Sequence, residues 1–285
     1  MKIVKKAISL LTVTLLAVAL TACGDNKTDT AKNDQSASAV ERIKQADKVR
    51  IGVFSDKPPF GYVDSQGKSQ GFDVEIAKAI TKDLLGDENK AEFVLVEAAN
   101  RAEYLLSNKV DIILANFTVT PERKEVVNFA KPYMKVALGV VSKDSAPITD
   151  VAQLADKTLL LNKGTTADAY FSKNYPNIKT LKFEQNTETF QSLLDGRGDA
   201  LAHDNTLLFA WVKENPGYVV AIKNLGEQDF IAPAVKKEDS DLLQWLDAEI
   251  EKLGKEGVLN QAYQKTLQPI YGDSISESDV VVEYK

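Results

Sequence analysis

The chain has 285 residues, 44% hydrophobic and 27% charged, which is enough apolar material for the core of one or two globular domains. A net charge of −6 carries no electrostatic footprint for nucleic acid. One cysteine, Cys23, and one histidine, His203, exclude an intramolecular disulfide, a Cys/His metal cluster and any nucleophilic triad that does without His203, so no cofactor or metal is expected.

Lys2, Lys5 and Lys6 precede an apolar run from Ala7 to Ala19, closed by Leu20-Thr21-Ala22. The run is too short to span a bilayer comfortably and has the layout of a secretory signal peptide over 1–22. Leu20-Thr21-Ala22-Cys23 also resembles the lipobox of bacterial lipoproteins, whose cysteine is lipidated, with palmitate for example, and becomes the mature N-terminus. Lipid on Cys23 anchors a protein to a membrane without spanning it. Residues 23–39 hold almost no large apolar side chain and read as a flexible tether.

Val49 to Phe54 alternates and is β-branched, which predicts a strand. Pro58 and Pro59 keep the following loop extended, so Phe60 either walls a ligand pocket or packs beneath the loop. Phe72, Ile76, Ile80 and Leu84 form one apolar helical face, Phe93 to Val96 reads as a strand, and Arg101 to Ser107 as a short helix.

The strand Val110 to Leu114 then runs into Asn116, Phe117, Thr118 and Thr120-Pro121-Glu122-Arg123. Ligands of open α/β sheets sit at the carboxyl ends of strands. Arg123 lies just beyond such an end, and its planar guanidinium suits the carboxylate of a free amino acid. The alternative is a surface arginine paired with Glu122 or Glu125. The order β-α-β-α-β predicts a sheet with helices on its faces. The apolar run Val136 to Val141 carries the chain elsewhere.

A second α/β series follows. Thr149 to Leu154 reads as a helix, Thr158 to Leu161 as a strand, and Ala167 to Tyr175 as a helix. Gly164 permits a tight turn before it, with Thr165 or Thr166 as N-cap; free N–H groups there either bind an anion or are simply capped. Ile178 to Phe183 is a strand, and Glu188 to Asp195 a helix. Gly198-Asp199-Ala200-Leu201-Ala202-His203-Asp204 parallels Val110-Asp111-Ile112-Ile113-Leu114-Ala115-Asn116. Two lobes can thus each present a strand end to a shared cleft, with Asp204 facing Arg123. Asp204 is otherwise a helix N-cap or a surface acid, and His203 a structural residue. Ile231 to Val235 reads as a strand that crosses back. Helices Asp241 to Leu253 and Gly257 to Leu267 precede a short acidic tail, 271–285, expected to be loosely held.

KPPFGYVD, QGFDVEIAKAI, DIILANFTVTPERKEVVNFAKPY, NKGTTADAY and GDALAHDNTL, in this order behind a lipobox, resemble the amino-acid-binding proteins of ABC importers over about Val49 to Pro269. VLVEAANR, ILANFT, LLLNKGTTADAYF and ALAHDNTLLFAWVK are most similar to the cysteine-binding members. The resemblance implies a two-lobed, type II periplasmic-binding-protein fold of class α/β, each lobe a mixed sheet flanked by helices, with two hinge crossings. Lobe 1 is expected at 40–137 and 233–270, and lobe 2 at 138–232.

It implies that Arg123 holds the ligand's α-carboxylate, with Gly164, Thr165 and Thr166 beside it. Thr118 touches the ligand's polar groups and Asp204 binds its α-ammonium. Asn116 and Phe117 stand where many relatives have Ser or Gly followed by an aliphatic residue, and Lys57 or Pro58 stands near a stacking aromatic of some relatives. These departures lie in the side-chain pocket, where Phe60, Phe117 and Tyr133 can wall a small, soft site for a thiol. The implied protein is a monomeric carrier on the extracytoplasmic face of the membrane. Its implied partners are an ABC permease and a small ligand, L-cysteine or another polar amino acid such as glutamine, glutamate, aspartate or histidine. Some relatives of this fold are cyclohexadienyl dehydratases, which need a carboxylic acid placed as proton donor; no acid in this sequence stands out for that task.

Overall fold

The computed structural model describes residues 37–285. The expected signal peptide, Cys23 and all but the last three residues of the expected tether lie outside the described residues. Among the described residues no helix is long and apolar enough to cross a membrane.

The chain builds two five-stranded sheets on one plan. In the first, Val49–Phe54 pairs in parallel with Ala91–Val96 on one side and Ile112–Ile113 on the other. Ala234–Val235 runs antiparallel between Ile112–Ile113 and Asn128–Phe129. In the second, Thr158–Asn162 pairs in parallel with Lys179–Phe183 and Ala200–Asp204. Met134–Lys143 runs antiparallel between Ala200–Asp204 and Tyr218–Ile231. Each sheet is therefore mixed, and Ile112–Ile113 and Ala200–Asp204 hold the matching central place.

The repeat seen in the sequence has a physical basis. Asp111 and Asp199, which open the two matching segments, do the same work. Asp111 Oδ2 accepts from the Arg50 backbone N–H at 2.9 Å, and Asp199 Oδ2 from the Thr158 N–H at 2.8 Å. Each aspartate thereby satisfies the first donor of the neighbouring parallel strand and pins its register. Both central strands then deliver their carboxyl ends to the same level, which is what positions the site.

The helices follow their apolar periodicity. Phe72–Leu85 buries Phe72, Ile76, Ile80 and Leu84, and Ser240–Lys255 buries Leu242, Leu246, Ile250 and Leu253. The chain crosses between sheets twice, from Asn128–Phe129 into Met134–Lys143 and from Tyr218–Ile231 through Ala232 and Pro233 into Ala234–Val235. Two elements differ from expectation. The return strand is much longer than Ile231 to Val235: it starts at Tyr218, and Pro233, which has no N–H to donate, separates it from Ala234–Val235. The helix expected at Thr149 to Leu154 is a 3-10 turn, Val151–Leu154, set by a capping box from Asp150 and Gln153.

The tail is not loose. Tyr271 is fully buried and donates to the Thr206 carbonyl at 2.8 Å, and Val280 and Val281 are 0% and 1% exposed. Val281 bridges Met134 at the start of the first crossing strand, and its neighbour Val282 donates N–H to the Tyr133 carbonyl. The apolar pair Val280-Val281 supplies the burial that the acidic composition conceals. Val280→Asp places an unpaired carboxylate there and is expected to lower the unfolding free energy by about 3–5 kcal/mol in urea titration. A change within about 0.5 kcal/mol would mean a loose tail after all.

Candidate functional site

The two central strands end in Asn116 and Asp204. Asn116 follows its strand in a left-handed conformation, φ 47°, and its backbone N–H donates to Asp73 Oδ2 at 2.8 Å. Asp204 closes Ala200–Asp204 and precedes the helix Asn205–Glu214, yet its carboxylate makes no capping bond. It turns across the gap instead. Lys57, in the two-residue strand Asp56–Lys57 that pairs with Gly61–Val63, donates Nζ to Asp204 Oδ2 at 2.7 Å and to Asn116 Oδ1 at 2.8 Å. Lys57 is 2% exposed and Asp204 4%. This is a desolvated ion pair between the two sheets, and leaving either charge alone costs about 3–5 kcal/mol. Burial raises the Asp204 carboxyl, but Lys57 outweighs it and holds the pKa at about 2. Burial lowers Lys57 in turn, opposed by Asp204.

His203 is the residue beside Asp204. Its Nδ1 accepts from the Asp204 backbone N–H at 2.7 Å, so Nε2 carries the proton and donates to Asn186 Oδ1 at 3.1 Å. Burial, reinforced by Lys57, pushes its pKa down to about 3. The imidazole is thus a neutral strut that fixes the backbone of Asp204. Asp73, fully buried at the start of Phe72–Leu85, accepts from Tyr133 Oη at 2.8 Å as well as from Asn116 N–H. Burial lifts it to about 7, against those hydrogen bonds and Lys57.

Two arginines complete the arrangement. Arg123 stands on the single-turn helix Pro121–Lys124, whose N-cap Thr120 accepts from the Arg123 N–H. Its guanidinium donates to the Thr118 carbonyl at 2.7 Å and, across the gap, to the Gly164 carbonyl at 2.9 Å. Glu122 and Glu125 do not pair with it: among the described residues no carboxylate lies within salt-bridge distance of Arg123. Burial lowers its pKa to about 10, with Asp204 and Asp229 opposing. Arg101 is 3% exposed and donates to the carbonyls of Ala98, Ala115, Asn116 and, at 3.1 Å, Gly164. Both guanidinium groups lie over the Phe117 ring, Arg101 4.3 Å and Arg123 4.7 Å from its centre, a cation–π arrangement that favours both.

Gly164 receives both arginines, and only glycine fits. Its φ is 74°, and a Cβ there would lie 2.5 Å from Ala99 Cα. Thr165 is an ordinary N-cap for Thr166–Asn174, accepting from Asp168 N–H and donating to the Asn162 carbonyl. Thr166 Oγ1 reaches Asp204 Oδ1 at 3.5 Å. A cleft of ≈ 660 Å³ opens here, lined by Thr120, Arg123, Thr165, Thr166 and Asp229. Thr118 is 2% exposed beneath Arg123. Phe60 packs under its loop with its ring 5.9 Å from Lys57 Nζ, and the Tyr133 hydroxyl is committed to Asp73.

Arg123, Gly164, Thr165 and Thr166 therefore line the cleft; Thr118 and Phe117 lie against Arg123, Asp204 reaches Thr166 and shares Lys57 with Asn116, and Phe60 and Tyr133 are buried behind. Sequence reasoning missed Lys57, Arg101 and Asp73 as members. A lysine before two prolines, or an arginine opening a short helix, reads as solvent-facing. The one available signal was that Lys57 or Pro58 stands near a stacking aromatic of some relatives. Asp56 adds a further bridge across the gap, accepting from Asn186 Nδ2 at 2.9 Å and Thr187 N–H at 3.3 Å.

The model of the bacterial extracellular solute-binding proteins, family 3, matches residues 49–269. A crystal structure of the solute receptor for L-cysteine of Neisseria gonorrhoeae is 64% identical with a TM-score of 0.85, over 87% of this chain and 100% of that one. The cysteine-binding protein of Campylobacter jejuni is 62% identical at the same TM-score of 0.85 and the same coverage, 87% and 100%. The ABC transporter glutamine-binding protein of Bacillus subtilis (strain 168) is 34% identical over 268 residues, 93% of this chain and 98% of that protein.

The single histidine makes one prediction easy to read. A folded pKa of about 3 lies below the unfolded value of about 6.5. Below pH 6.5 the unfolded chain takes up a proton that the folded chain refuses. The stability His203 contributes is therefore complete above about pH 6.5 and is lost as pH falls toward 3, by up to about 1.4 kcal/mol per pH unit. Its ring proton resonances should stay flat from about pH 8 to about pH 5; a midpoint near 6.5 would contradict the buried neutral tautomer.

Proposed function

The chain belongs to the bacterial extracellular solute-binding proteins of family 3, and from that premise we propose that it captures a free L-amino acid, L-cysteine first among them, between two closing lobes and hands it to the permease of an ABC importer. The observation that carries this reading is the pairing of opposite charges from separate sheets at one crevice, Asp204 on the second and Arg123 beside the first. A zwitterion stripped of water needs both its charges met. Asp204 serves the α-ammonium. Arg123 serves the α-carboxylate, helped by Thr118 and by the helix start at Gly164, Thr165 and Thr166.

Because the partners come from both lobes, the closed form binds the ligand more tightly than the open form. That difference is the thermodynamic requirement for ligand-driven closure. We take the lobes as 40–137 with 233–270, and 138–232. The choice of cysteine is supported by the two cysteine receptors at 62–64% identity. Glutamine is the second reading, favoured by the relative at 34% identity. The role is binding, not catalysis. We assign lipid attachment to Cys23, the extracytoplasmic face of the membrane as the location, and a monomer as the working form.

Calorimetry tests the zwitterion grip. Each charge-assisted bond contributes about 1.5–3 kcal/mol, and the partner charge left unpaired adds to the loss. Arg123→Ala and Asp204→Asn should each weaken binding by about 100-fold or more. Near-native affinity in either variant would refute the assignment. A thermal-shift panel of free amino acids under reducing conditions should give its largest shift with L-cysteine; a larger shift with glutamine, glutamate or histidine would reject cysteine.

A further inference from the structure

Lys57 poses a problem that the zwitterion alone does not solve. Its ammonium is buried, and among the described residues the carboxylate it pairs with is Asp204, at 2.7 Å. Asp204 is also the group that receives the ligand's α-ammonium. Docking the ligand therefore places two cations on one carboxylate. The ligand's own carboxylate does not relieve this, because it goes to Arg123.

The groups facing Lys57 can be taken element by element. Asp204 and His203 come from the central strand of the second sheet, and His203 is neutral with Nδ1 turned to a backbone N–H. Asn116 offers a carbonyl oxygen at 2.8 Å. Arg101 is a further buried cation that makes four hydrogen bonds, all to carbonyl oxygens; burial lowers its pKa, but a guanidinium keeps its proton at neutral pH. Asp73, on the helix behind, has both oxygens occupied by Tyr133 Oη and Asn116 N–H. Burial also keeps its carboxyl near the midpoint of titration at neutral pH, about 7. Phe54 and Phe60 supply only ring faces, 5.4 and 5.9 Å from Nζ. With Lys57, Arg101 and Arg123 against one firmly ionised carboxylate, the occupied site is short of negative charge.

We infer that Lys57 is the counter-ion of the ligand's side chain, and that the protein holds L-cysteine as its thiolate. The thiol S–H bond breaks heterolytically, the electron pair stays on sulfur and the proton leaves to water. This rests on the reading of cysteine as ligand and adds its charge state. A free thiol titrates near pH 8.5 and is a few per cent ionised at pH 7, so a single buried ammonium suffices to draw it into the anionic form. A hydroxyl cannot follow, which makes Lys57 the residue that separates cysteine from its isostere serine. It also rejects side chains that are themselves cationic, by like-charge repulsion in a desolvated site.

The test is an ultraviolet difference titration of the full chain with L-cysteine and with L-serine near neutral pH, under reduction, with calorimetry on the same samples. The serine titration subtracts any response of Cys23. A thiolate band growing in step with cysteine occupancy is expected, and Lys57→Met should abolish it. Cysteine binding without the band, or a band that survives in Lys57→Met, overturns the inference while leaving the ligand reading intact. Absence of heat with cysteine overturns both. If Lys57→Met does not fold, wild-type affinities decide: the ratio of serine Kd to cysteine Kd should rise about tenfold per pH unit from about pH 6.5 to about pH 8, and a flat ratio overturns the inference.

Discussion

One ionised carboxylate buried between two sheets governs the site. Asp204 has 4% of its surface exposed and sits against cations, Lys57, Arg101 and Arg123, that all come from the other half of the molecule. In a desolvated crevice such a charge must always have a partner, so the exchange of partners is coupled to opening and closing. Lys57 fills the role in this structure, and on the proposed reading a ligand ammonium competes for the same oxygens. The rest of the architecture keeps this carboxylate where it is. His203 grips its backbone N–H, the central strand fixes its height, and Asp199 pins that strand to its neighbour.

Closure depends on a second interaction, at Gly164. Its carbonyl receives Arg101 and Arg123 together, and its missing side chain lets Ala99 approach. Neutral acceptors satisfy the arginines without neutralising them. The contact can therefore hold the lobes together while Arg123 keeps its charge for an anion. The Phe117 ring, 4.3 Å and 4.7 Å from the two guanidinium groups, helps to orient them. Selective binding then follows from differential affinity: the open form offers a ligand one half of the charge set, and the closed form offers all of it.

Much of this was legible in the sequence, for identifiable reasons. The helices at Phe72–Leu85 and Ser240–Lys255 follow from i, i+4 apolar spacing, and the repeated Asp-apolar-polar segments marked the two central strands that do meet. Arg123 and Asp204 were marked as candidates by their strand ends, and their proposed roles came from the family resemblance. Two kinds of feature were hidden. The strand Tyr218–Ile231 shifts register three times against its partner, so its exposed and buried residues lose the two-residue alternation by which strands are recognised. Lys57, Arg101 and Asp73 are charged residues whose burial depends on partners distant in sequence. Asn116 and Asp204, for example, lie 59 and 147 positions from Lys57. No local window contains that information. The tail misled in the opposite direction, because two valines outweigh the acids around them.

The most direct measurement is a crystal structure of the protein grown with L-cysteine. The account predicts the α-carboxylate on the Arg123 guanidinium, the α-ammonium on Asp204, and the sulfur beside Lys57 Nζ, with Gly164 still receiving both arginines. A structure in which cysteine lies outside this crevice, or in which Asp204 contacts Lys57 alone while the ligand is bound, would contradict it.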